Sequence, residues 1–236
     1  MELVVNAAMS ADGKLSSRRR EQIRISGAAD FDRVDRIRAE SDGVMVGVGT
    51  VLADDPSLTL DSTARIEART ARGDPPHPAR VVVDSTLRTP HDAQILSDTA
   101  ETYILTTTAA SAERASQLQT AGATVIQVDS DGTQSRVEPD DTAGATERVA
   151  LADGVAALES HGIERLMVEG GGELIFSLVA AELVDHLSVF VGSLIIGGRE
   201  APTLADGEGF TDGFPSLELV DVTPLDDGVV LEYDLE

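Results

Sequence analysis

Four groups of residues in this chain have the types and spacing that chemistry on a phosphorylated small molecule requires. In the stretch Leu166-Met-Val-Glu-Gly-Gly-Gly-Glu-Leu-Ile-Phe-Ser177 an apolar run fit for a buried strand breaks at Gly170, Gly171 and Gly172. Leu174, Ile175 and Leu178 then resume at helical spacing. Glycines at such a turn let the backbone take positive φ and let a ligand approach the main chain closely. The unpaired N–H groups of the following helix's first turn favour an anion, with a phosphate as the natural guest. Three glycines at a strand end also make an ordinary tight connection, and their spacing is not the dinucleotide fingerprint G-x-G-x-x-G. A second strand, Gly43-Val-Met-Val-Gly-Val48, delivers Gly49-Thr-Val-Leu-Ala-Asp-Asp-Pro56. Gly47 and Gly49 suit close backbone approach, Thr50 can donate to a phosphate or simply cap the turn, and Asp54 can accept from a ribose hydroxyl or an amide. Asn6, Asp12 and Lys14 stand near the carboxyl end of a first strand, where open α/β sheets bind ligands. A solvated turn built on Asp12-Gly13 would use the same residues. Ser85 and Arg88 lie just past a third strand that begins at Arg80.

The elements that must position these groups alternate. Strands over 2–8, 43–48, 80–85, 103–106 and 123–128 are separated by a helix from Ser26, as N-cap, to about Glu40 and by a helix over 110–121. In the first of these helices Phe31, Val34 and Ile37 mark the buried stripe, with Arg38 beside it, either snorkelling to solvent or offering its planar fork to a phosphate. Residues 60–79 read as a polar loop. A helix over 151–159 leads into the glycine motif, followed by strands at 186–191 and 194–196. The tail reads as a hairpin of strands near 217–222 and 229–233 around Asp226-Asp227-Gly228. This order predicts a mixed, mostly parallel sheet flanked by helices with an antiparallel C-terminal hairpin, in one α/β domain spanning 1–236. The acidic, low-complexity segment 129–146 reads as a solvated insertion.

Composition narrows the partners. The chain carries 42 acidic against 18 basic residues, a net charge of −24. Such a surface repels nucleic acid and anionic membranes, and neither is expected as a partner. Adaptation to a salt-rich cytoplasm explains a dispersed acidic excess, because ions screen the self-repulsion. Lys14 is the single lysine, which singles it out. With no cysteine there is no disulfide, thiolate zinc site or cysteine nucleophile, and no metal is expected. The absence of a roughly 20-residue apolar run and of a basic, signal-like start predicts a cytoplasmic protein.

Asn6-Ala-Ala-Met-Ser-Ala-Asp-Gly-Lys14, Arg24-Ile-Ser26, Met45-Val-Gly-Val-Gly-Thr-Val-Leu-Ala-Asp-Asp-Pro56, Val81-Val-Val-Asp-Ser85 and Val168-Glu-Gly-Gly-Gly172 together resemble the pyrimidine reductases of riboflavin biosynthesis. The resemblance runs the length of the chain and implies a dihydrofolate-reductase-like fold, a homodimer, and NADPH-dependent reduction of a ribosylamino-pyrimidine 5′-phosphate, with NADH not excluded. It places cofactor contacts on Thr50, Asp54, Ser85, Gly170, Gly171, Gly172 and Glu173, to which the reading of the strand ends adds Gly47, Gly49 and Arg88. It places the substrate near Asn6, Arg24, Arg38, Leu58 and Glu169, with Asp12 and Lys14 at the chemistry. The chain departs from the family pattern at Glu173, where Thr or a small residue is common, and at Asp61, where many members have Arg or His. The family's bacterial members often carry a zinc deaminase whose ligands are absent here. The implied enzyme is therefore the stand-alone archaeal type, which reduces before deamination and uses the diamino-pyrimidinone. The deaminated uracil analogue is the alternative substrate. Two other readings are a dihydrofolate reductase and a catalytically silent nucleotide-binding protein. The glycine motif and the Asp-Gly-Lys turn fit the first poorly, and the full set of substrate-side residues argues against the second.

Overall fold

The computed structural model describes residues 1–21, 23–134 and 147–235. Apolar runs without alternation become central strands, because a strand covered on both faces must be apolar on both. They are β1 (Glu2–Ser10), β2 (Gly43–Gly47), β3 (Ala79–Val83), β4 (Thr102–Thr107), β8 (Arg165–Gly170) and β9 (His186–Gly192), while β5 (Ala123–Val128) is a partly exposed edge strand. The short strands β6 (Ser130–Gln134) and β7 (Glu147–Val149) pair with each other as a separate ribbon. β10 (Leu217–Leu225) and β11 (Gly228–Leu235) form the hairpin. Among the described residues the main sheet has nine strands in the order β10-β11-β9-β1-β8-β2-β3-β4-β5. From β9 to β5 neighbouring strands are parallel. β11 joins β9 antiparallel. The expected mixed, mostly parallel sheet with an antiparallel hairpin is therefore what the chain forms.

Helices α1 (Ala28–Glu40), α2 (Val48–Asp54), α3 (Thr63–Arg72), α4 (Ala112–Thr120), α5 (Leu151–Ser160) and α6 (Gly172–Ala180) connect the strands. Alternation along the strands separates two cores. Leu3, Val5 and Val168 face α5 and α6, with Leu158, Leu174, Ile175 and Leu178 packed on them. Val4, Val44, Val46 and Met167 face the other way, with Ile37 of α1, Val51 of α2 and Leu118 of α4. No helix among the described residues is long and apolar enough to cross a membrane.

Four local expectations need correction. Ser26 is not the N-cap of α1: Gly27 is, and the carboxylate of Asp226 from the β10–β11 turn caps the helix by accepting from Ala29 N at 3.4 Å and Asp30 N at 3.1 Å. Gly27 permits this approach, since a Cβ there would lie 2.5 Å from Asp226 Cγ. The anticipated apolar stripe of α1 is mostly polar. Phe31 is 56% exposed, whereas Asp30, Arg33 and Asp35 are buried with Ile37. The supposed loop 60–79 contains α3, whose N-cap Ser62 accepts from Arg65 N and whose chain leaves through Gly73 at φ 92°. Its anchor is Arg69, buried and donating to Ala39 O, Ser41 O and Pro75 O at 2.8–2.9 Å, so apolar periodicity could not reveal it. Residues 194–196 are not a strand; they form an irregular segment after β9. Of the expected insertion at 129–146, residues 135–146 lie outside the described residues.

Candidate active site

The strand order places β8 between β1 and β2. The β1–β2 crossover therefore passes over β8 by α1 on one face, while the β8–β9 crossover passes β1 by α6 on the other. Chains leaving adjacent carboxyl ends in opposite directions open a crevice there, and parallel α/β sheets bind ligands in such a crevice. The carboxyl ends of β1, β8, β2 and β3 carry Lys14, Glu169, Gly47 and Ser85 respectively.

On the α1 side, Glu169 of β8 forms a two-pronged ion pair with Arg38. Nε donates to Oε1, and Nη2 donates to Oε2 at 2.7 Å. Arg38 Nη1 donates to Thr59 O at 3.0 Å, which also ties down the segment holding Leu58. Leu58 is buried and takes φ 50°. Burial works against the Arg38 charge, but Glu169, with Asp61 and Asp35 beyond it, outweighs that, and the guanidinium pKa is raised. The same segment is held from below by Asp35, which accepts from Asp61 N at 2.7 Å, Ser62 N at 3.3 Å and Arg65 Nη1 at 2.9 Å. Asp61 thus contributes its backbone N–H to the site's framework.

Beside Glu169, Asn6 of β1 is buried against α1. Arg33, itself buried, donates Nη2 to Asn6 Oδ1 at 2.8 Å, Nη1 to Ser188 Oγ at 2.8 Å and Nε to Asp30 Oδ1 at 2.9 Å. Nothing in the apolar periodicity of α1 marks Arg33 or Asp30. The signal that could have found them is the clustering of three aspartates and three arginines within one 13-residue helix.

The turn after β1 is built around Asp12. Its carboxylate accepts from Ser10 Oγ at 2.6 Å, Ile196 N at 3.0 Å and Gly197 N at 2.7 Å. The Ser10 hydroxyl first, then those backbone N–H groups, hold its carboxyl down at about 2. These are the properties of a turn clamp that joins β1 to the segment after β9, and a carboxyl so acidic carries no proton to give near neutrality. Lys14 Nζ donates to Ala201 O at 3.3 Å, and Lys14 bridges Thr203. An open hollow of about 570 Å³ adjoins this turn, lined by Arg18, Ile23 and the 194–198 segment among others.

On the opposite side of the crevice lies the glycine turn. Gly170 takes φ 141° with open space where a Cβ would stand, and the Gly170–Gly171 peptide is cis. Thr50 Oγ1 lies 3.7 Å from the Cβ position of Gly171, and Gly47 faces Leu174 Cβ at 3.8 Å, so the two glycine-bearing strand ends meet. A Cβ on Gly172 would come within 2.3 Å of Thr203 O. Asp206 N donates to Gly172 O at 3.0 Å, while the Asp206 carboxylate accepts from Thr203 N at 3.1 Å and from its hydroxyl. Residues 201–206 therefore strap Lys14 to the glycine turn. They belong to no periodic element, and no sequence pattern marks them.

Glu173 does not stand as an unopposed charge. Arg148 of β7 donates Nη2 to Glu173 Oε2 at 3.2 Å and Nη1 to Ser177 Oγ at 3.2 Å. Ser85 Oγ accepts from Val149 N at 3.2 Å, and among the described residues no acceptor meets its hydroxyl hydrogen. The preceding Asp84, fully buried, accepts from Thr89 N and Oγ1 at 2.7 Å each and so fixes the turn bearing Arg88. Asp54, at the end of α2, has its carboxyl pKa raised by partial desolvation. Arg24 holds its guanidinium 6.0 Å from the Phe31 ring centroid, with Nε reaching Ser26 O at 3.4 Å.

The donor set suits a phosphorylated dinucleotide. The first-turn N–H groups of α6 lack carbonyls of their own helix, the space over Gly170 and Gly49 is open, and Thr50 and Ser85 add hydroxyls. Asp54 adds an acceptor.

A family described as the RibD C-terminal domain matches residues 2–231. Among curated proteins, the chain is 43% identical over 206 residues to the 2,5-diamino-6-ribosylamino-4(3H)-pyrimidinone 5′-phosphate reductase of Archaeoglobus fulgidus, covering 87% of this chain and 86% of that one. It is 38% identical over 236 residues to the protein of the same name from Methanothermobacter thermautotrophicus, covering 99% and 98%. Among solved structures, a pyrimidine reductase-like protein from Corynebacterium diphtheriae superposes with a TM-score of 0.79 at 18% identity, over 100% of this chain and 92% of that one. RibD from Acinetobacter baumannii gives 0.72 at 24% identity, over 100% and 58%.

Proposed function

This chain belongs to the RibD C-terminal domain family, and from that premise we propose that it reduces 2,5-diamino-6-(5-phosphoribosylamino)pyrimidin-4(3H)-one to its ribitylamino form in riboflavin biosynthesis, with NADPH as reductant. The observation that carries this reading is the near-full-length identity to archaeal proteins of that name. The site's geometry is consistent with it. A nicotinamide cofactor would be held by Thr50, Asp54, Ser85 and the turn from Gly170 to Glu173, and when bound it supplies a hydride.

The remaining tasks fall to side chains. Glu169, held by Arg38, offers carboxylate lone pairs to the ring N–H and amino groups of the substrate. In the open-chain form the ribose C1′ is doubly bonded to the 6-amino nitrogen. Hydride addition at C1′ turns that bond single, and a proton completes the nitrogen. Lys14 carries protons and a positive charge at this end of the crevice, and Asp12 acts through the turn that presents it. Lys14 offers a cation to the substrate phosphate, and Arg38 neutralises Glu169 in a strongly acidic chain.

Three finer statements belong to the same proposal. NADPH is preferred over NADH because Arg88, exposed beyond β3, offers a cation to a 2′-phosphate. The chain is a homodimer, for which the edge strand β10 leaves Leu217, Leu219, Val220 and Val222 between 42% and 57% exposed. The protein is cytoplasmic, salt-adapted and without nucleic-acid or membrane partners, in keeping with its net charge of −24. The test is NADPH oxidation in high-potassium buffer with the diamino-pyrimidinone and the deaminated uracil phosphates offered side by side. Preference for the diamino compound is expected. Preference for the uracil would reassign the substrate, and turnover of neither would overturn the reading.

A further inference from the structure

Arginine has five N–H donors and no acceptor. Whatever faces it in a hydrogen bond must accept, and this fixes which way a neighbouring amide points. Arg33 Nη2 meets Asn6 at 2.8 Å, so the amide oxygen is turned toward α1 and the Asn6 NH₂ is turned away from it. Arg33 cannot swing to release that oxygen, because Asp30 and Ser188 hold its other nitrogens and it is only 8% exposed. Among the described residues no protein acceptor meets Asn6 Nδ2. The parallel pairing of β1 with β8 runs through Val5–Val168, so Asn6 and Glu169 are the next neighbours on adjacent strands. Both side chains bond to arginines of α1 and therefore share one face of the sheet. The outcome is a fixed donor beside a fixed acceptor, each aimed by its own arginine.

We propose that Arg33 is a positioning residue that makes position 6 a hydrogen-bond donor, so that Asn6 and Glu169 together read a ring carbonyl next to a ring N–H. This rests on the function proposed above, whose pyrimidin-4(3H)-one carries C4=O beside N3–H. Asn6 NH₂ gives to the C4 oxygen and Glu169 accepts from N3–H. The 2-amino group on the far side of N3 supplies a second donor to Glu169, where the deaminated analogue presents an oxygen. The pair thus favours the diamino ring at one edge.

Asn6→Asp tests the inference, because aspartate keeps an acceptor for Arg33 but removes the donor. The expected result is an unchanged or higher Tm, a KM for the diamino-pyrimidinone raised at least tenfold, and an unchanged KM for NADPH. Arg33→Gln can either donate or accept, so it no longer fixes which way the Asn6 amide points. It should raise the pyrimidine KM in the same sense, and combining it with Asn6→Asp should add little, since both act through one amide. A purely structural role would lower Tm and move both KM values together. If the parent enzyme turns over and Asn6→Asp matches it on the pyrimidine, the inference is wrong while the enzyme assignment stands. A parent that neither turns over nor binds either pyrimidine overturns the assignment and the inference with it.

Discussion

On one face of the central sheet α5 and α6 lay Leu158, Leu174, Ile175 and Leu178 against Leu3, Val5 and Val168. On the other, α1 brings Asp30, Arg33, Asp35 and Arg38 to Asn6, Ser188, Glu169 and the 59–62 segment. The first interface is held by removing apolar surface from water, which is tolerant of small shifts and aims nothing in particular. The second buries charges, which is costly unless each is paired, and in return every partner is fixed in direction. The helix that binds its sheet through polar contacts is the one that builds the proposed substrate side of the crevice. The apolar helix presents the glycine turn, where backbone atoms do the contacting and no side chain needs aiming.

The largest departure between the two faces is expected from Arg38→Met. It strands a mostly buried Glu169 and should cost about 4 kcal/mol of stability while lowering kcat/KM for the pyrimidine roughly a hundredfold or more. Replacing both Arg38 and Glu169 by Met should recover most of the stability and none of the activity, as denaturant melts and steady-state kinetics would show. Leu178→Ala, on a fully buried side chain of α6, should cost about 3 kcal/mol through its cavity and leave both KM values in place. A Leu178→Ala enzyme with a raised pyrimidine KM would break the distinction between the faces. Gly172→Ala must displace the 201–206 strap, since its Cβ would lie 2.3 Å from Thr203 O. Titration of each ligand should show both the NADPH and pyrimidine KM rising roughly tenfold. Arg148→Ala leaves Glu173 without its cation near the expected phosphates. A rise of about threefold in the NADPH KM, smaller at high salt, is the expected size for a partly exposed pair.

The smallest effect is a pH dependence. His77 Nδ1 accepts from Leu60 N at 3.1 Å, and burial first, then Arg80 and Arg69, lowers its pKa. A folded state that resists protonating this ring loses stability as pH falls below the ordinary histidine value of about 6.5. His77→Gln should flatten the melting profile in that range. An unaltered slope would show that His77 does not set it.

The central strands were legible in the sequence because their apolar runs are the direct signature of burial on both faces, and the partly exposed edge strand Ala123–Val128 is also recovered residue for residue. The motif residues were legible because glycine, hydroxyl and carboxylate groups cluster at strand ends. What was not legible depends on polar contacts made at a distance. α3 is anchored by Arg69 on backbone carbonyls, α1 is capped by an aspartate 196 residues away, and Arg33 reaches strands on either side of it in sequence. Apolar periodicity reports none of these. The irregular 194–206 segment shows the same limit, for its order comes from Asp12 and Gly172 partners far away in the chain.

The proposed reduction takes place at the ribose carbon of a pyrimidine held between Asn6, Glu169 and the glycine turn. Its most direct test is turnover of the diamino-pyrimidinone phosphate with NADPH deuterated at the reactive nicotinamide carbon, followed by NMR of the product. Deuterium at C1′ of the ribityl chain, in one stereochemical position and lost together with turnover in Arg38→Met, is the predicted result. Deuterium elsewhere in the product, or NADPH oxidation that leaves the product unlabelled, would contradict it.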